Sequence, residues 1–270
     1  MLTKNLDVII SQLEELTQSL FPPVLKIYND PKFKVEIKGD GSPLTLADQT
    51  AHNLILAYLG EHFPSIPIVS EESFVQKNYK PAKEFWLIDP IDGTKEFVSR
   101  SGEFTTNIAL IQNGKPVMGV VGAPTSGKIW SGIAAEQASK AQTLKPTNTL
   151  KLVMSKNHQT VLDRTFLNFL DKRGFRLQVI ARGSSLKICA LADHEADLYP
   201  RFGPTSEWDI AAADAVLRSK GGAILQLENL QPLEYGKKGS ILNPMFIAIS
   251  NFDQKADILS LVDEYTKNLL

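Results

Sequence analysis

The sequence contains one cysteine, Cys189. A single thiol excludes an internal disulfide and fits a reducing compartment. Flanked by Ile188 and Ala190, it reads as a core residue rather than a nucleophile. Histidine is scarce too: His52, His62, His158 and His194 form no H-E-x-x-H or other zinc spacing. There is no G-x-S-x-G elbow and no G-x-G-x-x-G fingerprint. No apolar run approaches the ~20 residues of a membrane span. Lys4, Asp7, Glu14 and Glu15 break up any signal-peptide pattern at the N-terminus. Neither sign of charge dominates, since 29 basic and 30 acidic residues leave a net charge of -1. The absence of a Lys/Arg-rich run argues against a nucleic-acid polymer as partner. What remains is a chain of 270 residues, 43% apolar and 22% charged, expected to be a soluble cytoplasmic protein of one large or two ordinary domains.

The most informative stretch runs from Trp86 to Lys95, W-L-I-D-P-I-D-G-T-K. Its apolar first half reads as a buried strand that delivers Asp89 at its C-terminal end. Pro90 lacks an amide donor and is expected to stop the strand. Gly93 permits a tight bend and a close main-chain approach. Asp89 and Asp92, three residues apart, repel each other unless a hard cation lies between them. The carbonyl of Ile91 is a third oxygen donor, and Thr94 adds a hydroxyl. A plain turn would also use Asp, Pro and Gly, so the stretch alone leaves both readings open.

In chain order, Leu6, Ile9, Ile10, Leu13 and Leu16 have the rhythm of an amphipathic helix, which Pro22-Pro23 is expected to interrupt or kink. Residues 39–43 read as a loop. A second helix carries Ala47, Ala51, Leu54, Ile55, Tyr58 and Leu59, with Asp48 in its first turn, where a carboxylate also suits the helix dipole. A short strand, 66–69, leads into Glu71-Glu72. Two apolar runs joined by Asn113-Gly114 predict a hairpin, with a third strand over 128–133. Residues 122–128 imitate a phosphate-binding loop, but Ile129 replaces its hydroxyl residue and a strand follows instead of a helix. The polar segment 136–149 is the best linker candidate. Beyond it strands and helices alternate, and Asp209 opens a helix of small residues, where it could be an ordinary N-cap. Glu71, Asp89, Asp92 and Asp209 thus all fall at strand ends or helix starts, the kind of cluster that metal-assisted phosphoryl hydrolysis requires.

With these motifs the chain resembles the inositol monophosphatase superfamily of magnesium-dependent, lithium-sensitive phosphatases. The matching residues are Glu71-Glu72, the D-P-I-D-G-T run at 89–94, and Trp208-Asp209 with the small-residue helix through Ala213. Within the superfamily, D-G-T-K-E-F at 92–97, G-S-S-L-K at 183–187 and L-Y-P-R-F-G-P at 198–204 are most similar to the 3'(2'),5'-bisphosphate nucleotidases of the CysQ type. Many relatives carry Gly where this chain has Ala213, which bears on local packing and on no ligand.

The resemblance implies an α/β (α+β) fold, a five-layer α-β-α-β-α sandwich. Residues 1–145 would form an α+β domain with most metal ligands, and residues 146–270 an α/β domain supplying Asp209 and the nucleotide contacts. It implies two or three Mg2+ ions, one held by Glu71, Asp89 and the Ile91 carbonyl, another by Asp89, Asp92 and Asp209. Thr94, oriented by Asp48 and helped by Glu71, would position the attacking water. The Gly93 and Thr94 amides would hold the phosphate, with Ile91, Asp92 and Asp209 beside it. Ser184, Lys187 and Arg201 match positions that clamp the 5'-phosphate and sugar, the plainer alternative being that Lys187 and Arg201 are ordinary surface cations. The implied activity removes the 3'-phosphate of adenosine 3',5'-bisphosphate, giving AMP and phosphate and recycling a by-product of sulfur assimilation. Alternatives are an inositol monophosphatase or sugar-bisphosphate phosphatase of the same fold, or a non-catalytic phosphate- or metal-binding regulator. Intact Thr94 and Asp48 argue against the last. The expected partner is a small bisphosphate nucleotide. The resemblance allows a peripheral contact at the inner membrane, but no basic amphipathic helix demands one.

Overall fold

The computed structural model describes residues 6–37, 43–134, 148–155 and 160–269. The first helix, α1 (Leu6–Asn29), buries Ile9, Leu13, Leu16, Leu20, Phe21 and Val24 along one face. It runs through Pro22-Pro23, so the expected interruption does not occur. The two prolines cannot donate to the carbonyls four residues back, but Phe21 and Val24 on either side are locked in the core and hold the helix together. A small antiparallel hairpin, β1 (Val35–Ile37) and β2 (Pro43–Thr45), was not anticipated. The loop expected at 39–43 lies outside the described residues except for Pro43, which opens β2. Thr45 then caps α2 (Leu46–His62) in a capping box with Asp48.

Five strands form the first sheet: β3 (Ile68–Ser70), β4 (Glu84–Asp92), β5 (Thr105–Gln112), β6 (Lys115–Ala123) and β7 (Lys128–Ile133) lie side by side in that order. β3 is parallel to β4 and the remaining pairs are antiparallel. A short helix, α3 (Thr94–Val98), follows β4 and was also not foreseen. The β5–β6 turn is the expected Asn113-Gly114 pair, both residues having positive φ (50° and 76°). The false phosphate loop is the β6–β7 connection, with Lys128 already in β7.

In the second half come β8 (Thr149–Met154), α4 (Val161–Lys172), β9 (Arg176–Ala181), α5 (Leu186–Ala192), β10 (Leu198–Arg201), α6 (Glu207–Ser219), β11 (Ala223–Gln226), β12 (Phe246–Ile249) and α7 (Lys255–Leu269). The sheet order is β11-β12-β10-β8-β9, parallel among β10, β8 and β9 and antiparallel elsewhere. Most of the expected linker falls on residues outside those described. Among the described residues no helix is long and apolar enough to cross a membrane.

Alternation along the strands explains the layering. On β4, Trp86 and Ile88 pack with α1 and α2, whereas Phe85 and Leu87 join a core containing Cys189, Leu191, Ala211 and Val216 of α5 and α6. That core continues into Val153, Ile224 and Phe246 of the second sheet. The second sheet's other face packs Phe166 and Leu170 of α4 and Ile258 and Val262 of α7. The result is the α-β-α-β-α sandwich. Strands buried on both faces need the near-continuous apolar runs that the sequence has.

The middle layer sits close. A Cβ on Gly119 of β6 would fall 2.3 Å from the Ala212 carbonyl oxygen and 2.7 Å from its Cα. The sheet thus supplies the missing side chain that lets α6 approach, and the methyl of Ala213 is accommodated at 1% exposure. Gly119→Ala should therefore destabilise the fold by about 1–3 kcal/mol, because both obstacles are backbone atoms. Urea unfolding at unchanged m-value measures this, and an unaltered midpoint would disprove the close approach.

Candidate active site

The site lies where β4 ends, and its path differs from expectation. β4 does not stop at Pro90; it continues to Asp92 through a register shift between Asp89 and Asp92. A bulge needs no ladder donor at that point, so the missing N–H of Pro90 costs little there. The Pro90 carbonyl accepts the Thr106 hydroxyl at 2.8 Å, which fastens the bulge to β5. Asp89 and Asp92 are thereby turned toward one place.

Asp209 joins them from α6. Ser206 is the N-cap of that helix and Asp209 is its N3 residue, accepting the Ser206 amide at 2.8 Å. The N-cap alternative for Asp209 is thus replaced by a capping box. One carboxylate oxygen each from Asp89, Asp92 and Asp209 lies within 4.8 Å of the others. Glu71, at the end of β3, adds its charge beside Asp89. Burial first, and then Glu71, Asp92 and Asp209, push the Asp89 carboxyl well above the usual range. Asp209 is raised likewise, by desolvation and then by Asp92. This all-oxygen, mutually repelling set fits a hard divalent cation. The adjacent Glu207 is engaged elsewhere, by the Gly236 amide and Lys237.

Asp92 is held by three donors on Oδ2: the Ser184 hydroxyl and Ser185 amide, each at 2.7 Å, and Asn107 Nδ2 at 3.5 Å. Ser184 adopts a left-handed backbone (φ 50°), which lets its hydroxyl and the next amide converge on one oxygen. Ser185 Oγ accepts from Asn107 Nδ2 at 3.0 Å and donates to the Asp209 carbonyl at 2.8 Å. One network therefore joins β5, the start of α5 and the start of α6. Sequence reasoning missed Asn107, Ser185 and Thr105, whose hydroxyl meets that of Ser184 at 2.6 Å. Their signal was polar residues opening an otherwise apolar strand, and a second serine in G-S-S-L-K.

Asp48 is fully buried. Its Oδ2 accepts the Thr45 amide and hydroxyl at 2.7 and 2.6 Å, while Oδ1 faces the Thr94 hydroxyl at 3.3 Å. Thr94 Oγ1 also lies 3.2 Å from the Ile91 carbonyl. Asp48 is thus not merely a carboxylate suited to a helix dipole; it contacts Thr94 from a distant stretch of chain. His52, one turn further along α2, meets Ser70 at 2.8 Å, and burial lowers its pKa. The i, i+4 spacing from Asp48 was its sequence signal.

A pocket of about 140 Å³ opens beside Asp92 and Asp209, lined also by Gly93, Ser184, Lys187 and Arg201 among others. Gly93 begins α3 with φ 88°, and Glu103 O and Ser184 Cβ lie 3.2 Å from where its Cβ would be. Lys187 is no surface cation: it is 8% exposed, its ammonium donates to Ser184 O at 2.7 Å, and it stands over the Tyr199 ring. Burial, reinforced by Arg201 and opposed by Asp92, pushes it down to about 8. Arg201 donates from Nη2 to Pro204 O at 3.0 Å.

A layered sandwich with a carboxylate cluster at a strand bulge, facing a pocket with two cations, defines a site for a metal and an anionic ligand. The family model described as "Inositol monophosphatase family" matches residues 5–265. The chain is 36% identical over 248 residues to the 3'(2'),5'-bisphosphate nucleotidase CysQ of Escherichia coli, covering 88% of this chain and 98% of that protein. The Salmonella typhimurium protein of the same name is 37% identical over 250 residues, with the same coverage. A solved CysQ from Bacteroides thetaiotaomicron superposes with a TM-score of 0.73 at 34% identity, over 88% of this chain and 95% of that one. The chain belongs to the inositol monophosphatase family.

Raised carboxyls stabilise the folded state in acid, and that contribution fades as pH rises through their raised values. A cation binds only the ionised forms. Magnesium should therefore raise Tm more near neutral pH than in mild acid, with protons released on binding. An equal shift at both pH values would disprove a repelling cluster.

Proposed function

We propose that this chain is a magnesium-dependent phosphatase that removes the 3'-phosphate of adenosine 3',5'-bisphosphate. The observation that carries the reading is the Asp48–Thr94 pair, set beside the acidic cluster, with a pocket next to it that is lined by Gly93, Lys187 and Arg201. The resemblance to bisphosphate nucleotidases over most of both chains supports the choice of substrate. In this reading Glu71, Asp89, the Ile91 carbonyl, Asp92 and Asp209 hold two or three Mg2+ ions. Bound there, magnesium supplies Lewis-acid activation of water and charge neutralisation on the leaving oxygen.

The remaining work belongs to the chain. Asp48 is an acceptor fixed by Thr45, and with the Ile91 carbonyl taken up by the metal the Thr94 proton points to Asp48. A lone pair of Thr94 is then directed at the attacking water, whose other proton can go to Glu71. The amides of Gly93 and Thr94 hold the reacting phosphate. Ser184 fixes Asp92 and, with Lys187, faces the sugar, and Arg201 faces the second phosphate. The metal ligands come mainly from residues 1–145, and Asp209 and the anion contacts from residues 146–270. A single buried thiol suits a cytoplasmic protein.

Phosphate release over a small substrate panel tests this. Adenosine 3',5'-bisphosphate should be preferred to inositol 1-phosphate and to sugar bisphosphates. No hydrolysis of any of them would leave a non-catalytic binder. Thr94→Ala should lower kcat at least a hundredfold, about 2.7 kcal/mol of barrier. Asp48→Asn should share that defect, and the double variant should be far from additive. Strictly additive losses would separate Asp48 from the water.

A further inference from the structure

Lys95 follows Thr94 in α3, is exposed, and makes no ion pair with any described residue. Its side chain lines a second cavity of about 330 Å³, which adjoins the catalytic pocket and shares Ser155, Tyr199 and Arg201 with it. Among the described residues, Lys95 and Arg201 are the cations on that cavity. Its one carboxylate, Asp163, already accepts the amide and hydroxyl of Thr160 as the cap of α4. Arg201 Nε is buried without a hydrogen-bond partner among the described residues. Lys187 does not line this cavity, and its ammonium is turned to the Ser184 carbonyl.

Successive helical side chains project about 100° apart, so neighbouring residues address neighbouring spaces. Thr94 faces the acidic cluster and Lys95 faces the side cavity. A nucleotide with two phosphates separated by a sugar needs two adjoining anion subsites. We propose that Lys95 is a specificity-determining residue, which with Arg201 holds the second, unreacted phosphate of the substrate in this cavity. The proposal rests on the nucleotidase reading and deepens it. An exposed ammonium, unpaired among the described residues, and a guanidinium on the same cavity suit a phosphate, because each can make charge-assisted bonds to its oxygens.

The experiment compares the magnesium-loaded, full-length protein with Lys95→Ala, Lys95→Arg and Lys95→Glu. Steady-state kinetics are taken on adenosine 3',5'-bisphosphate and on adenosine 3'-monophosphate, which has no second phosphate. The readout is the ratio of kcat/KM between the two. Lys95→Ala should lower that ratio roughly tenfold or more, through KM of the bisphosphate. Lys95→Glu should lower it further and Lys95→Arg should restore most of it. Equal losses on both substrates would show that Lys95 acts by positioning Thr94, and a ratio unchanged within about twofold would make it an ordinary solvated cation; either overturns the proposal. If the wild type itself shows no preference for the bisphosphate, the nucleotidase reading falls and the proposal falls with it. A retained wild-type preference with indifferent variants overturns the role of Lys95 alone.

Discussion

Repulsion among carboxylates governs this molecule. Asp89, Asp92 and Asp209 bring one oxygen each within 4.8 Å of the others, with Glu71 beside them. Such a cluster does not assemble by its own attraction. It is forced together by the cores on both sides of the first sheet and by the hydrogen bonds that fix each acid. The bonds on Asp92 come from β5 and from the start of α5, so the two halves of the chain are joined inside the acidic cluster. The cores thereby hold a locally unfavourable arrangement in place, a trade found where function requires one.

The same constraint accounts for the middle layer. Asp209 reaches the cluster only if α6 lies almost against the first sheet, and Gly119 removes the side chain that would hold it away. The apolar residues of α6, Ala211, Ala212, Val216 and Leu217, then bury against strands from both sheets. On the other side of the sheet, α2 brings Asp48 to Thr94. The site is therefore a junction of two helices from opposite faces at the end of one bulged strand. Its rigid part is the acids; its open part is the pocket pair lined by Lys187, Arg201 and Lys95.

Where reading the sequence erred, or kept a plainer alternative beside its assignment, a tertiary contact overrode a local rule. Pro22-Pro23 ought to break α1, but Phe21 and Val24 are packed too firmly. Pro90 ought to end β4, but the bulge has no need of its amide. Asp209 has the composition of an N-cap, yet Ser206 takes that place and Asp209 turns inward. Lys187 has the look of a surface cation, yet it is buried above Tyr199. In each case the local preference amounts to a few kcal/mol or less and the packing around it is stronger.

The sequence alone determined the strands and helices with strong periodicity, the Asn113-Gly114 turn, and the acids of D-P-I-D-G-T, because those depend on neighbours along the chain. It also pointed to Glu71 and Asp209 through the chemistry that a cluster of acids implies, and to the layered fold by resemblance. The resemblance had already paired Asp48 with Thr94, but only the tertiary structure decided that Asn107 and Ser185 fasten Asp92, and that Lys95 shares a cavity with Arg201. Those residues lie tens of positions apart or on different helices. No local pattern encodes the distance between them; it is set by how two sheets and three helical layers close-pack around one another.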